Sequence, residues 1–352
     1  MSYFEAFTSN TLAAGGNQTV FHPVGEQVGR VFYRVFAGGT YRYSLLFSDV
    51  IDSTFADGSI SRAGDTCGGF TLTRLAMGVC DTLESSPSLQ PITVGGVSSY
   101  TLKSGETVAT DPLVITAAAG QYLCIEIGFY GHTVPCHAET QIPVFVKRDN
   151  AWIPSCEVPL PSMVGCDRPV KHRVAYWGDS ITQGIGVEPN SYRHWNALVS
   201  ERLGRENSYW NLGLGFGRAM DAALDGSWLR KACTAEAVVL CFGVNDMGRR
   251  TAQQICEDLT AAVTALQAAG CRVLLQTVPP FEYSPEARER WQQVNRYLRT
   301  VLRHRADAFF DVETALGSDP KRYGGHPNEE GCRVWAEGIL KPLGKLLENL
   351  DK

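Results

Sequence analysis

The sequence predicts a two-part protein: an all-β sandwich, jelly-roll-like, over residues 1–153, followed by an α/β domain built on a parallel sheet over residues 173–352. Three observations carry this reading. Before Pro154, apolar residues alternate in short runs, and no stretch offers a convincing amphipathic helix. After Arg173, apolar runs of strand length alternate with helical patterns. Between the two, residues 154–172 contain Pro154, Pro159, Pro161 and Pro169, which interrupt regular structure and suggest a connection.

In the first part, "GRVFYRVFA" alternates around Val31, Tyr33 and Val35, and "QYLCIEIGFY" places Leu123, Ile125, Ile127 and Phe129 on one face. Such period-two runs mark strands with one buried face. "YRYSLLFS", "FTLTRLAMG", "SSYTL", "PLVITA" and "IPVFV" add further short strands, with Gly-, Asp- and Ser-rich turns between them. In the second part, "RVAYW", "SYWNLG", "AVVLCFG", "RVLLQTVPP" and "AFFDV" read as strands too apolar to have a wet face, as in a parallel sheet covered on both sides. "AQQICEDLTAAVTALQAAG" puts Ile255, Leu259, Ala262, Val263 and Leu266 on one helical stripe and closes at Gly270. "EARERWQQVNRYLRTVLRHR" does the same with Trp291, Val294, Leu298 and Val301.

Composition narrows the function classes. The 352 residues carry 44% hydrophobic and 20% charged side chains, ordinary for a globular protein, and a formal charge of -5. That balance gives no electrostatic reason to expect nucleic acid or an anionic membrane as partner. No apolar run reaches the roughly 18 residues of a membrane span, and the N-terminal stretch lacks the pattern of an export signal. The 11 cysteines are odd in number, and none form a Cys-x-x-Cys pair, so they read as reduced thiols in a cytoplasmic protein. His132 and His137 flank Cys136, but no further ligand pattern accompanies them, and no metal or other cofactor is expected. "GLGFGRA" lacks the last glycine of a dinucleotide fingerprint. Trp177, Trp195, Trp210 and Trp291 fall on strand or helix patterns and are expected in the core.

The chemistry concentrates where strands leave the sheet. "VAYWGDSITQG" runs a strand directly into Ser180; "SYWNLG" runs into a glycine-rich turn; "AVVLCFG" runs into Asn245; and a loop before the last helix carries His326. In parallel sheets ligands bind beyond the carboxyl ends of the strands, where these loops gather. A serine hydroxyl is a weak nucleophile until a base takes its proton, and neutral imidazole does so near pH 7. The oxyanion of a tetrahedral intermediate needs preorganised donors, which an asparagine amide and backbone N–H groups can supply.

"GDSITQG", "NLGLGFG", "GVND" and "HPNEEG" resemble the four ordered blocks of the SGNH (GDSL-type) hydrolases, over about residues 173 to 348. The resemblance implies a flavodoxin-like three-layer αβα fold, Ser180 as nucleophile, His326 as base, and Ser180, the glycine block and Asn245 as oxyanion donors. Within the glycine block, Gly215 is the expected donor, since Phe216 stands where the family often has its donor glycine. A second departure concerns the acid. The family usually places Asp three residues before the histidine, where this chain has Tyr323. Either Asp319 serves as the acid, or the site is a Ser-His dyad with the imidazole held by a backbone carbonyl. A leading β-sandwich is similar to that of the two-part acetylesterases of carbohydrate esterase family 2.

These likenesses imply a serine esterase acting on a short acyl group, acetyl first, carried by a small molecule or oligosaccharide. A GDSL-type lipase, lysophospholipase or thioesterase is the alternative within the superfamily. A carbohydrate-binding protein with an inactive hydrolase domain is the alternative outside it.

Overall fold

A computed structural model describes residues 2–53, 63–85 and 87–352. Two compact units emerge. The first takes most of residues 2–170 together with Ser208–Trp210; the second takes Ser53, Lys171–Asn207 and Asn211–Lys352.

The first unit is all-β. One antiparallel sheet orders strands Thr8–Ser9, Met163–Cys166, Gly39–Ser48 and Thr107–Ala109. The other orders Ala151–Pro154, Val144–Arg148, Gln27–Arg34, Tyr122–Tyr130, Gly69–Cys80 and Gln90–Ile92. In the long central strand, Leu123, Ile125, Ile127 and Phe129 are buried, as the alternation predicts. Their neighbours divide the opposite face. Glu126 accepts from Arg30 Nη2 at 2.9 Å and Arg74 Nη2 at 2.7 Å. Farther along, Phe32, Cys80 and Cys124 form a buried cluster with Leu83, Leu89, Tyr122 and Phe145 against it. The strand Gln27–Arg34 is therefore buried on both faces near Phe32, which simple alternation does not reveal.

The Pro-rich stretch contributes more than a connection. Met163–Cys166, between Pro161 and Pro169, is a fully buried strand paired with Gly39–Ser48. Prolines bar a central strand only where their missing N–H is needed, and here they lie outside the ladder. One helical turn, Tyr3–Ala6, precedes the first strand, where the sequence offered no amphipathic pattern.

The second unit is the α/β domain. The parallel sheet on which it is built has the strands, in chain order, Arg173–Gly178, Ser208–Asn211 (whose first three residues cluster with the first unit), Ala237–Cys241, Arg272–Gln276 and Ala308–Phe310. In space they run second, first, third, fourth, fifth. This is the flavodoxin-like order, with its switch point between the first and third strands. The pairs from the first through the third and fourth to the fifth strand are parallel. Every residue of Ala237–Cys241 is buried, because helices cover both faces of the sheet. Trp195–Leu203 packs with Glu329–Leu350, and Ala252–Ala268 packs with Pro285–Thr300. Ile255, Leu259, Ala262, Val263 and Leu266 are buried along the one stripe, and Trp291, Val294 and Leu298 along the other. Val301 departs from its expected place: the helix ends at Thr300, and Val301, already off the helical path, is 44% exposed.

The four tryptophans expected in the core are buried. The Trp195 ring stacks on Trp335 at 4.9 Å, and Trp335 Nε1 donates to the buried Gln276 Oε1 at 2.7 Å. All 11 cysteines are free thiols, and Cys67, Cys80, Cys124, Cys136, Cys166, Cys241, Cys271 and Cys332 are buried. Among the described residues no helix is long and apolar enough to cross a membrane.

Trp335→Ala removes a stacked ring and leaves the Gln276 carbonyl without its donor. It is expected to lower the unfolding free energy by about 3–5 kcal/mol, read from urea denaturation followed by fluorescence. A loss below about 1 kcal/mol would contradict the packing described.

Candidate active site

Ser180 is the first residue of a single helical turn, Ser180–Gln183, that leaves the first strand through Gly178 and Asp179. Asp179 caps the turn, its Oδ1 accepting from Ile181 N at 3.0 Å. The turn stops at Gly184, whose φ of 119° reverses the chain. Ser180 is 8% exposed, and its N–H, at the start of a helical turn, has no acceptor within that turn.

The second loop lies directly on this turn. Leu212 N and Leu214 N donate to Tyr176 O and Gly178 O at 2.8 and 3.1 Å, extending the ladder past the strand. A Cβ on Gly213 would fall 2.1 Å from Gln183 N, so only glycine fits there. Gly215 follows, its carbonyl accepting from Ser53 Oγ at 3.1 Å. Phe216 adopts φ 59°, a left-handed conformation that bulky residues seldom take. The third loop joins the second through Asn245, whose Nδ2 donates to Gly217 O at 2.9 Å. An amide nitrogen carries two hydrogens, so this bond leaves one to give elsewhere.

His326 comes from the loop before the last helix, which Asn328 caps by accepting from Gly331 N at 3.0 Å. Although 146 residues separate them, Ser180 Oγ and His326 Nε2 are 2.9 Å apart. A hydroxyl paired with imidazole in this way can lose its proton as it attacks an electrophile. Asp319 stands apart: it is exposed, and its Oδ1 accepts from Lys321 N at 3.0 Å. Among the described residues no carboxylate is hydrogen-bonded to His326. Tyr323, at the position of the expected acid, is buried beside Gly331.

Residues 176–334 match the family model described as GDSL-like Lipase/Acylhydrolase. This stretch is a GDSL-like acylhydrolase domain. Several solved structures are similar to about half of the chain. One is a member of the lipolytic G-D-S-L family from Veillonella parvula, with 19% identity and a TM-score of 0.43 over 49% of this chain and 98% of its own. Another is a carbohydrate esterase family 3 protein from Talaromyces cellulolyticus, with 20% identity and a TM-score of 0.42 over 51% and 99%. A third is an acetyl-xylooligosaccharide esterase mutant from Geobacillus, with 17% identity and a TM-score of 0.41 over 50% and 95%. No curated protein matches the chain.

Two buried carboxyls lie beside the Ser180 turn and the Asn245 loop. Burial pushes the pKa of Asp179 up to about 7, with the nearby Asp246 adding to the rise and the Ile181 N–H opposing it. Burial likewise raises Asp246 to about 7, against the Ala219 N–H that its Oδ2 accepts at 3.0 Å. Each follows a site residue directly in chain or precedes it, and each ties one loop to backbone. Among the described residues no group of three or more His, Cys, Asp or Glu could hold a metal ion, the His132–His137 stretch included.

Three residues near the site were not singled out by sequence. Ser53 belongs by chain position to the β-rich half, and nothing local links it to the glycine block. Phe281, whose ring centroid lies 5.3 Å from that of His326, is one aromatic in "PPFEY" after the fourth strand. Its only signal was its place on the same rim as the other loops. Tyr283 packs behind it at 5.9 Å.

Burial lowers the His326 pKa below its ordinary 6.5. The unfolded chain then holds this proton more readily, so the linked stability rises as pH climbs through the window below 6.5 and is lost as pH falls. An NMR titration of the His326 ring is expected to give a midpoint under 6.5; a midpoint above it would contradict the burial.

Proposed function

We propose that this protein is a serine esterase in which Ser180 attacks an ester carbonyl while His326 accepts the hydroxyl proton. The single observation that supports this reading is the 2.9 Å pairing of Ser180 Oγ with His326 Nε2 inside an acylhydrolase domain. The protonated imidazole gives its proton to the leaving alcohol, which departs as the acyl-serine forms. Water, deprotonated by the same imidazole, then attacks the acyl carbonyl and returns Ser180 to its starting state.

The oxyanion is received by the N–H groups of Ser180 and Gly215 and by the second Asn245 amide hydrogen. Each such donor lowers the barrier by roughly 3 kcal/mol in measured systems. A low imidazole pKa suits the base role, since the ring is then neutral at the pH where it must accept a proton. The catalytic pair is a dyad, supported by the placement of Asp319 on an exposed turn bonded to its own loop. The substrate class we propose is a short acyl ester, acetyl first, on a sugar or oligosaccharide. It rests on the likeness of a β-sandwich followed by an SGNH domain to two-part carbohydrate acetylesterases. The 11 free thiols support a reducing compartment such as the cytoplasm.

The test is an ester panel on the full chain: aryl acetate, butyrate and palmitate, with acetylated oligosaccharides. Acetate and acetylated oligosaccharide are expected to be preferred, and Ser180→Ala is expected to lose on the order of a thousandfold or more in kcat. Preference for palmitate would favour the lipase reading. A Ser180→Ala variant as active as wild type would defeat the nucleophile assignment. Glycan binding without hydrolysis would favour the binding-protein reading. Separately, Asp319→Asn is expected to keep kcat/KM within about twofold of wild type, whereas loss of tenfold or more would restore Asp319 as the acid.

A further inference from the structure

We infer that Phe281 is the positioning residue of the His326 imidazole, an aromatic wedge that holds Nε2 toward Ser180 in place of a carboxylate. This deepens the proposed function and rests on its assignment of Ser180 and His326.

The two rings meet at 85°, with centroids 5.3 Å apart, in the edge-to-face arrangement that aromatic pairs prefer. An imidazole without an acid partner can turn about its side-chain bonds, and each turn takes Nε2 away from the serine. The Phe281 ring packed against the imidazole restricts that freedom. The stem of the side chain is confined as well: a Cβ on Gly186 would come within 2.9 Å of His326 Cβ and 2.6 Å of Pro327 O, so the backbone there lies directly on His326. Beside the wedge, a Cβ on Gly325 would lie 3.3 Å from the Phe281 ring.

A wedge positions only if it is itself fixed. The loop bearing Phe281 starts at the fourth strand and is gripped at Val278. Val278 N donates to Asn295 Oδ1 at 2.8 Å, while Asn295 Nδ2 and Trp291 Nε1 both donate to Val278 O at 2.9 Å. Asn295 is fully buried, so this grip is shielded from competing water. Pro279 and Pro280 then restrict the backbone, and Tyr283 N donates to Phe281 O at 2.9 Å. Tyr283 bridges the rings of Phe281 and Trp291, at 5.9 and 5.7 Å, so the wedge backs onto the helix Pro285–Thr300.

A residue that only walls the substrate pocket affects substrate binding; one that orients the base affects turnover. Phe281→Ala is expected to lower kcat on aryl acetate roughly 10- to 100-fold while KM stays within about threefold, the pattern of a misplaced catalytic group. Phe281→Tyr, which keeps the edge-to-face ring, is expected to recover most of that loss. In the wild type, the ring current of Phe281 is expected to displace the carbon-bound protons of the His326 ring from their ordinary imidazole positions. In Phe281→Ala these NMR signals, assigned with His326→Gln, are expected to move toward those of an unstacked imidazole. Circular dichroism and thermal melting establish that the variants fold. If Phe281→Ala does not, Phe281→Leu makes the same comparison with the bulk retained and the ring removed.

A folded variant with wild-type kcat, a loss confined to KM, or unmoved ring protons each overturns the proposal. Failure of the esterase reading looks different: Ser180→Ala remains active, or the wild type hydrolyses no ester, while the ring protons still report the contact. With Ser180→Ala inactive and Phe281→Ala at full turnover, the wedge alone is wrong.

Discussion

Peptide backbone lying directly on peptide backbone is what lets four loops from distant parts of the chain share one small rim. The second loop rests on the Ser180 turn at Gly213, where a single added carbon would strike Gln183 N at 2.1 Å. The loop at Gly186 rests in the same manner on His326. Side chains at either place would force the loops apart, and a hydrogen bond of 2.9 Å between Ser180 and His326 weakens steeply as its partners separate. The dense apolar sheet beneath supplies the rigidity. With Ala237–Cys241 wholly buried, the carboxyl ends of the strands have little room to drift.

The rim also concentrates polar groups that the interior solvates poorly. Burial disfavours ionisation of both Asp179 and Asp246, and Asp246 adds to the rise at Asp179, yet both accept backbone N–H groups that the loops must satisfy somewhere. An aspartate is the shortest side chain able to cap the Ser180 turn with a carboxylate oxygen. The desolvation it suffers is the cost of holding that turn in shape. His326 experiences the same medium with the opposite consequence: burial favours its neutral form, the one able to take a proton.

Much of the second unit was legible because its signals are local and repeated. Strand-length apolar runs, the stripe through Ile255 and Leu266, and the cap at Asn328 each follow from spacing within a dozen residues. Ser180 and His326 could be placed at one rim because strand-to-loop junctions in a parallel sheet all open on the same side. Local spacing fails where partners are remote. Phe32 sits on the face that alternation assigns to water, yet it is buried by Cys80, Cys124, Leu83 and Leu89, which no window around it contains. Val301 fits its helical stripe by number, but the helix has already ended. Ser53 and Phe281 reach the site through tertiary packing alone. The acid position could be seen to be altered at Tyr323, but what steadies the imidazole instead depended on a ring forty-five residues upstream.

The distribution of thiols has a consequence for how this molecule reports on itself. Cys124 in the β unit and Cys332 in the α/β unit are buried, and burial pushes the pKa of each up to about 12. Burial also raises Cys241, at the end of the third strand, well above the ordinary thiol value. Alkylating reagents take the thiolate, so in the closed molecule these sulfurs are chemically silent. Each awakens only when its own neighbourhood opens. The chain thus carries a set of built-in clocks, spread through both units, whose order of labelling would trace which parts breathe first and which move only when the whole fold comes apart.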